Sequence, residues 1–276
     1  MTTQTCNICP HKCKLREDQT GICRARKNVK GEIISVNYGH VTSLALDPIE
    51  KKPLKRFMPG TNILSIGSFG CNLRCSFCQN HEIAMASEPR VYSKHMEPEE
   101  LIHLAIETRD RGNIGIAYTY NEPLIGYEYV RDSSILAREK GLKNVAVTNG
   151  YFNQEPMKEL LPYIDALNID LKAFTKDFYK RIGGDLDRVK DFIKLASNYS
   201  HVEVTTLIIP GENDNEDEIR DLSEFLASIS PDIPLHLTRF FPRYKLTGKL
   251  PTSVRKIFNL ADIARESLNY VYEGNI

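Results

Sequence analysis

The stretch ILSIGSFG (63–70) runs directly into CNLRCSFCQN (71–80). An apolar, β-branched run that ends in glycine reads as a buried strand. The residues that follow place Cys71, Cys75 and Cys78 in a C-x3-C-x2-C spacing at the C-terminal end of that strand. The same kind of strand recurs downstream: IGIAYTYN (114–121), VAVTNGY (145–151), ALNIDLK (166–172), VEVTTLIIP (202–210) and PLHLTRFFP (234–242). Helical patterns lie between them. EPEELIHLAIETRDRG (97–112) keeps Leu101, Ile102, Ala105 and Ile106 at helical spacing and stops at Gly112. NEDEIRDLSEFLASIS opens on acids that suit the positive end of a helix dipole. Six strands alternating with helices predict right-handed βαβ units and a parallel sheet covered on both faces. A doubly wound open sheet and a partial barrel both satisfy that rhythm. In either, functional groups collect at the C-terminal strand ends, where the three cysteines stand.

The first sixty residues are different. GEIISVNYGHVTSLALDPIE reads as short strands broken by Gly31, Gly39 and Pro48. All seven cysteines lie in the first 78 of 276 residues and split into two sets, Cys6, Cys9, Cys13 and Cys23, then Cys71, Cys75 and Cys78. The N-terminus is polar and has no apolar core of a signal peptide, and no run is long enough to span a bilayer. A cytoplasmic location follows as the expectation, and clustered cysteines in that setting read as metal ligands rather than disulfides. Lys plus Arg and Asp plus Glu number 36 each, so charge gives no evidence for a nucleic-acid or membrane partner. The basic run IEKKPLKRF (49–57) and the acidic run GENDNEDEIRDLSE read as solvated faces.

Three thiolates are one short of a closed site. A cubane iron–sulfur cluster with three cysteine ligands keeps one iron open, as catalytic zinc keeps one position open. The C-x3-C-x2-C spacing, with aromatic Phe77 before the last cysteine, resembles the signature of radical S-adenosylmethionine (SAM) enzymes. A zinc knuckle is the bland alternative. AYTYNEP (117–123) resembles that family's second motif, commonly Gly-Gly-Glu-Pro, with Tyr120-Asn121 standing where two glycines often sit. The strand-end motifs resemble the branch that contains pyruvate formate-lyase-activating enzyme, and most of all the AmmeMemoRadiSam system radical SAM proteins, from Cys6 to Asn275.

The resemblance implies a partial (β/α)6 TIM-type barrel over 61–276, with a small N-terminal cysteine-rich metal-binding segment over 1–60. It implies a [4Fe-4S] cluster on Cys71, Cys75 and Cys78, with SAM chelating the open iron. Reductive cleavage of SAM would give a 5′-deoxyadenosyl radical that abstracts hydrogen from an unidentified substrate: a small molecule, a peptide or a protein. A flavodoxin- or ferredoxin-type reductant is implied. Glu122 would accept from the methionine ammonium, and Phe77 would meet adenine. Asn80, Asn121, Asp170, Lys172 and His236 would lie near SAM, Asp170 through a monovalent cation. Each has a plainer reading: a turn for Asn80, a helix cap for Asp170, a surface lysine for Lys172, a core histidine for His236. A glycyl-radical activase acting on a protein glycine is the alternative activity. A non-catalytic iron–sulfur or electron-transfer protein is another, though it would need no SAM pocket.

Cys6, Cys9, Cys13 and Cys23 form C-x2-C-x3-C-x9-C, a complete four-thiolate set with His11 as a further possible ligand. Structural zinc is the preferred expectation, because a small irregular segment needs a staple. An auxiliary iron–sulfur cluster is the alternative, although the spacing is not the bacterial ferredoxin run.

Overall fold

A computed structural model describes residues 3–87 and 90–276. Its centre is an eight-stranded sheet. In chain order the strands are β1 (Ser43–Pro48), β2 (Asn62–Gly67), β3 (Asn113–Tyr118), β4 (Lys143–Thr148), β5 (Ala166–Asp170), β6 (His201–Ile208), β7 (Leu235–Arg239) and β8 (Val271–Gly274). They lie in sequence order across the sheet. β2 to β8 are parallel, and β1 runs antiparallel along one edge. The six expected strands are β2 to β7, each starting where expected within two residues. Each ends sooner than its apolar run, because the last residues leave the ladder and become loops. The fold is the partial TIM-type barrel of α/β class, with β8 as a further parallel strand.

Helices cover the outer face: α1 (His81–Ala84), α2 (Pro98–Glu107), α3 (Tyr127–Glu139), α4 (Gln154–Leu160), α5 (Lys176–Arg181), α6 (Leu186–Ala196), α7 (Glu216–Ala227) and α8 (Val254–Ala264). Their caps follow from sequence. Glu97 and Glu100 form a capping box with Pro98 at N1, and Asp185, Asn215 and Ser253 each accept from first-turn N–H groups. Among the described residues, no helix is long and apolar enough to cross a membrane.

Two expectations about residues 1–60 change. The boundary at residue 60 does not separate two units, because Ser43–Pro48 pairs with Asn62–Gly67 over six residues and covers the sheet edge. The basic run 49–57 is a solvated face only in part: Lys51, Lys55 and Arg56 are exposed, while the residues between them pack inward. Ile49 and Leu54 are buried on Ile63, Ala117, Val145 and Ala166, which come from four neighbouring strands. Lys52 is 3% exposed and its Nζ sits 2.8 Å from Asp47 Oδ2. The backbone N–H groups of Lys55 and Arg56 donate to buried Glu203 at 3.0 and 2.7 Å. The run packs against the beginnings of the strands, at the end of the barrel opposite the cysteine loop. The acidic run, by contrast, is largely exposed around the start of α7.

The cysteine-rich segment docks onto the other end. Cys71 N–H donates to Cys23 O at 3.2 Å, and Asn153 N–H to Ile8 O at 3.1 Å. The His11 ring meets Asn72 O at 2.8 Å and packs edge-on against Tyr151.

Candidate active site

The loop after β2 is irregular and largely buried, so its backbone must find partners elsewhere. It is held from four directions. Besides Cys71 on Cys23, Gly70 N–H donates to Ile83 O, Arg74 N–H to Ile182 O, and Lys245 N–H to Ser76 O. Gly70 has φ of +91°, and a Cβ there would lie 2.5 Å from Cys23 O, so only glycine fits. Asn80 Nδ2 donates to Tyr120 O at 2.7 Å and ties the cysteine loop to the loop after β3.

The three sulfurs sit among opposed charges. Burial pushes the Cys71 thiol well above its ordinary value, and neighbouring Glu122 adds to the effect. Burial raises Cys75 to about 12, against the pull of the Lys172 ammonium. Cys78 is raised for the same reason and resisted by the same lysine. Such thiols stay protonated unless a cation takes the proton's place. Yet Leu73 N–H and Asn149 Nδ2–H already point at Cys71 Sγ, at 3.4 and 3.6 Å. These are donors suited to a metal-bound thiolate. Three sulfurs with N–H groups aimed at one of them fit an iron–sulfur cluster that lacks a fourth protein ligand.

Glu122 follows β3 and is 3% exposed. Its Oε1 accepts from Thr148 Oγ1 and Leu124 N–H, and its Oε2 from Asn149 N–H at 2.7 Å. Burial nonetheless lifts its pKa to about 7, because those three donors only partly offset desolvation and Asp170 adds repulsion. Among the described residues, Glu122 has no cationic partner within ion-pair distance. A ligand ammonium would restore its charge. Lys172 Nζ pairs with Asp170 Oδ2 at 2.6 Å. Burial works against the lysine's charge, but Asp170 and then the thiolates of Cys75 and Cys78 hold it above its ordinary value.

The structure therefore brings Cys71, Cys75, Cys78, Glu122, Asp170 and Lys172 together. Asp170 already has a cation in Lys172, where the resemblance implies a monovalent ion. Phe77 is buried, with its ring 5.9 Å from that of Phe178. Asn121 is a staple: its Oδ1 accepts from Ser68 N–H, and its Nδ2 donates to Gly70 O and Glu122 O. Tyr120 takes φ of +71°, so the backbone keeps a conformation natural to glycine with tyrosine in place. The tyrosine hydroxyl is anchored on Asp47 Oδ2 at 2.9 Å.

His236 lies elsewhere. It is the second residue of β7, not a strand-end residue, and its Nε2 meets Glu203 Oε2 at 2.6 Å. Glu203 also binds His201 and the basic run, at the opposite end of the barrel from the cysteines. The core-histidine reading holds there. Asn149 is the residue that sequence reasoning passed over. It joins Glu122, Asn72 Oδ1 and Cys71 Sγ, and its only signal was its place at the end of β4 in VTNGY.

Cys6, Cys9 and Cys23 are buried and Cys13 half-buried. All four line one cavity of about 10 Å³ with Arg26. Among the described residues, no three His, Cys, Asp or Glu side chains converge on a single-ion position, which holds for both cysteine sets.

A family model described as the radical SAM superfamily matches residues 65–226. An uncharacterized protein of Methanocaldococcus jannaschii is 43% identical over 276 residues, covering 98% of this chain and 81% of its own. A pyruvate formate-lyase-activating enzyme of Clostridium pasteurianum is 30% identical over 166 residues, covering 58% of this chain and 67% of its own. The crystal structure of Streptococcus suis SuiB bound to S-adenosylmethionine superposes with a TM-score of 0.59 at 15% identity, over 75% of this chain and 48% of that one. At that identity the likeness is one of fold.

Proposed function

The chain belongs to the radical SAM superfamily, and we propose that the groove around Cys71, Cys75, Cys78 and Glu122 binds a [4Fe-4S] cluster and SAM to act on a substrate not yet identified. When bound, the pair supplies one-electron cleavage of the sulfonium and a 5′-deoxyadenosyl radical that takes a hydrogen atom from the substrate. The chain's own residues hold and orient. Cys71, Cys75 and Cys78 would hold the cluster, three thiolates for four irons. Leu73 N–H and Asn149 Nδ2–H steady the Cys71 sulfur. Lys172 offsets the negative charge of the thiolates and is itself held by Asp170. Glu122 would accept from the methionine ammonium, and Asn80 and Asn121 fix the two loops against each other. Phe77 lines the adenine side. A flavodoxin- or ferredoxin-type donor in the cytoplasm would supply the electron.

One observation carries this reading: a buried carboxylate with no cation in ion-pair contact among the described residues, next to three thiols. Glu122 would fix a cationic ligand in place beside the three cysteines, which would spare the cost of bringing the two together. The test is anaerobic reconstitution with iron and sulfide, reduction, addition of SAM, and chromatography for 5′-deoxyadenosine. The wild type should form it, and Cys75→Ala should stay at background. Equal yields from a cluster-loaded wild type and Cys75→Ala would sink the proposal.

A further inference from the structure

We infer that Tyr120 is a positioning residue whose hydroxyl, anchored on Asp47 and Lys52, holds the backbone turn that leads into Glu122. The inference rests on the reading that Glu122 receives the methionine ammonium of SAM. Three observations carry it. First, Tyr120 takes φ of +71°. That left-handed conformation costs an L side chain free energy and persists only where the surroundings enforce it. The turn is also stitched to the cysteine loop. Tyr120 O accepts from Asn80 Nδ2 at 2.7 Å, and Glu122 N–H donates to Gly70 O at 3.4 Å. A shift at Tyr120 would therefore disturb the cysteine loop and the backbone of Glu122 together.

Second, the enforcement comes from outside the loop. The Tyr120 hydroxyl donates to Asp47 Oδ2 at 2.9 Å. Lys52 Nζ donates to the same oxygen at 2.8 Å and lies 4.8 Å from the tyrosine ring centroid. Asp47 and Lys52 are both buried. Burial would raise the Asp47 carboxyl, but the Lys52 ammonium and the Tyr120 hydroxyl outweigh it and bring it to about 2, so it stays an acceptor. A hydrogen bond to a charged group is among the stronger ones a hydroxyl can make.

Third, the strand beneath the ring leaves room for it. A Cβ on Gly67, the last residue of β2, would lie 2.9 Å from Tyr120 Cδ2 and 3.3 Å from Thr119 O. Glycine there lets the ring lie against the strand and the hydroxyl reach Asp47.

The hydroxyl thus has a task separate from filling space, and two variants separate the tasks. Tyr120→Phe keeps the ring and removes the anchor, which leaves the left-handed strain unopposed. Tyr120→Gly removes the ring but supplies the residue that takes positive φ without cost. Both variants, the wild type and Glu122→Gln are reconstituted anaerobically with iron and sulfide, melted, and titrated with SAM by equilibrium binding. The expected result is a crossing of orders. Tyr120→Phe should bind SAM about tenfold more weakly than the wild type. Tyr120→Gly should lose less affinity than Tyr120→Phe, yet melt at a lower temperature because it has lost a ring. Before cluster loading, amide hydrogen exchange should quicken across 119–124 in Tyr120→Phe while β2 keeps its protection. Wild-type SAM affinity in Tyr120→Phe, or a larger affinity loss in Tyr120→Gly, overturns the inference and leaves Tyr120 a packing residue. Should Tyr120→Gly not fold, the exchange in Tyr120→Phe decides: faster supports the inference and unchanged overturns it. If Glu122→Gln binds SAM as the wild type does, the reading of Glu122 fails and takes this inference with it. Weaker binding in Glu122→Gln beside an unaffected Tyr120→Phe sinks this inference alone.

Discussion

The two cysteine sets lie back to back, yet their surroundings differ. Cys71, Cys75 and Cys78 share their space with Glu122, Asp170 and Lys172, three ionisable groups whose charges press on the sulfurs. Cys6, Cys9, Cys13 and Cys23 share theirs with the Arg26 guanidinium, the His11 ring and apolar neighbours such as Ile8 and Ile125. The first set lacks a ligand and is ringed by groups able to bind one. The second is complete and closed off. Ligand count and neighbouring charge are what distinguish the two sets.

The largest effect that could break this contrast is at Glu122. Glu122→Gln keeps the shape and removes the charge, so SAM affinity should fall about 10- to 100-fold, in line with a charged hydrogen bond. Cluster iron should not change, and equilibrium binding of SAM to the reconstituted variant checks both. At Asn149 the change is subtler. Asn149→Ala removes the donor to Cys71 Sγ and should lower 5′-deoxyadenosine formation by around tenfold while shifting the cluster's reduction potential. An unchanged potential would reduce Asn149 to a packing residue.

Gly70→Ala sharpens the comparison differently, because it strikes the seam between the sets. Its methyl would press on Cys23 O, so stability should drop by about 1–3 kcal/mol, and iron retention should weaken at the Cys71–Cys78 loop. A thermal melt with metal analysis reads both. The smallest effect belongs to the far end of the barrel. Burial there would raise the Glu203 pKa, but His201, His236 and two backbone N–H groups outweigh it and bring it to about 2. A lowered folded-state value means the contribution is complete above the unfolded value of roughly 4.3 and fades as pH falls towards 2. Glu203→Gln should flatten the acid limb of a stability–pH curve, and His236→Ala should cost stability without touching SAM cleavage.

What the sequence revealed was local. The cysteine loop, the strand before it and the Glu-Pro turn are each set by a few adjacent residues, so spacing and apolar runs were enough. The strand tails SFG and TYN kept their apolar or aromatic character after leaving the ladder, which made the strands read too long. What remained hidden depends on residues far apart in the chain. Glu203 collects N–H groups from Lys55 and Arg56, about 150 positions away, and so the backbone of a charged run is tied to the barrel while its outer lysine and arginine side chains stay exposed. His236 looked like a strand-end residue because PLHLTRFFP does not reveal where pairing begins. Asn149 acquires its role only when β4 lies beside β3 and Glu122 turns towards it.

The central claim is that three thiolates leave one iron open for SAM. Mössbauer spectroscopy of protein reconstituted with iron-57, before and after SAM, tests it most directly. The account predicts that about one iron in four of the radical-site cluster moves to a signature of nitrogen and oxygen coordination. A spectrum in which every iron keeps an all-sulfur environment with SAM bound would contradict it.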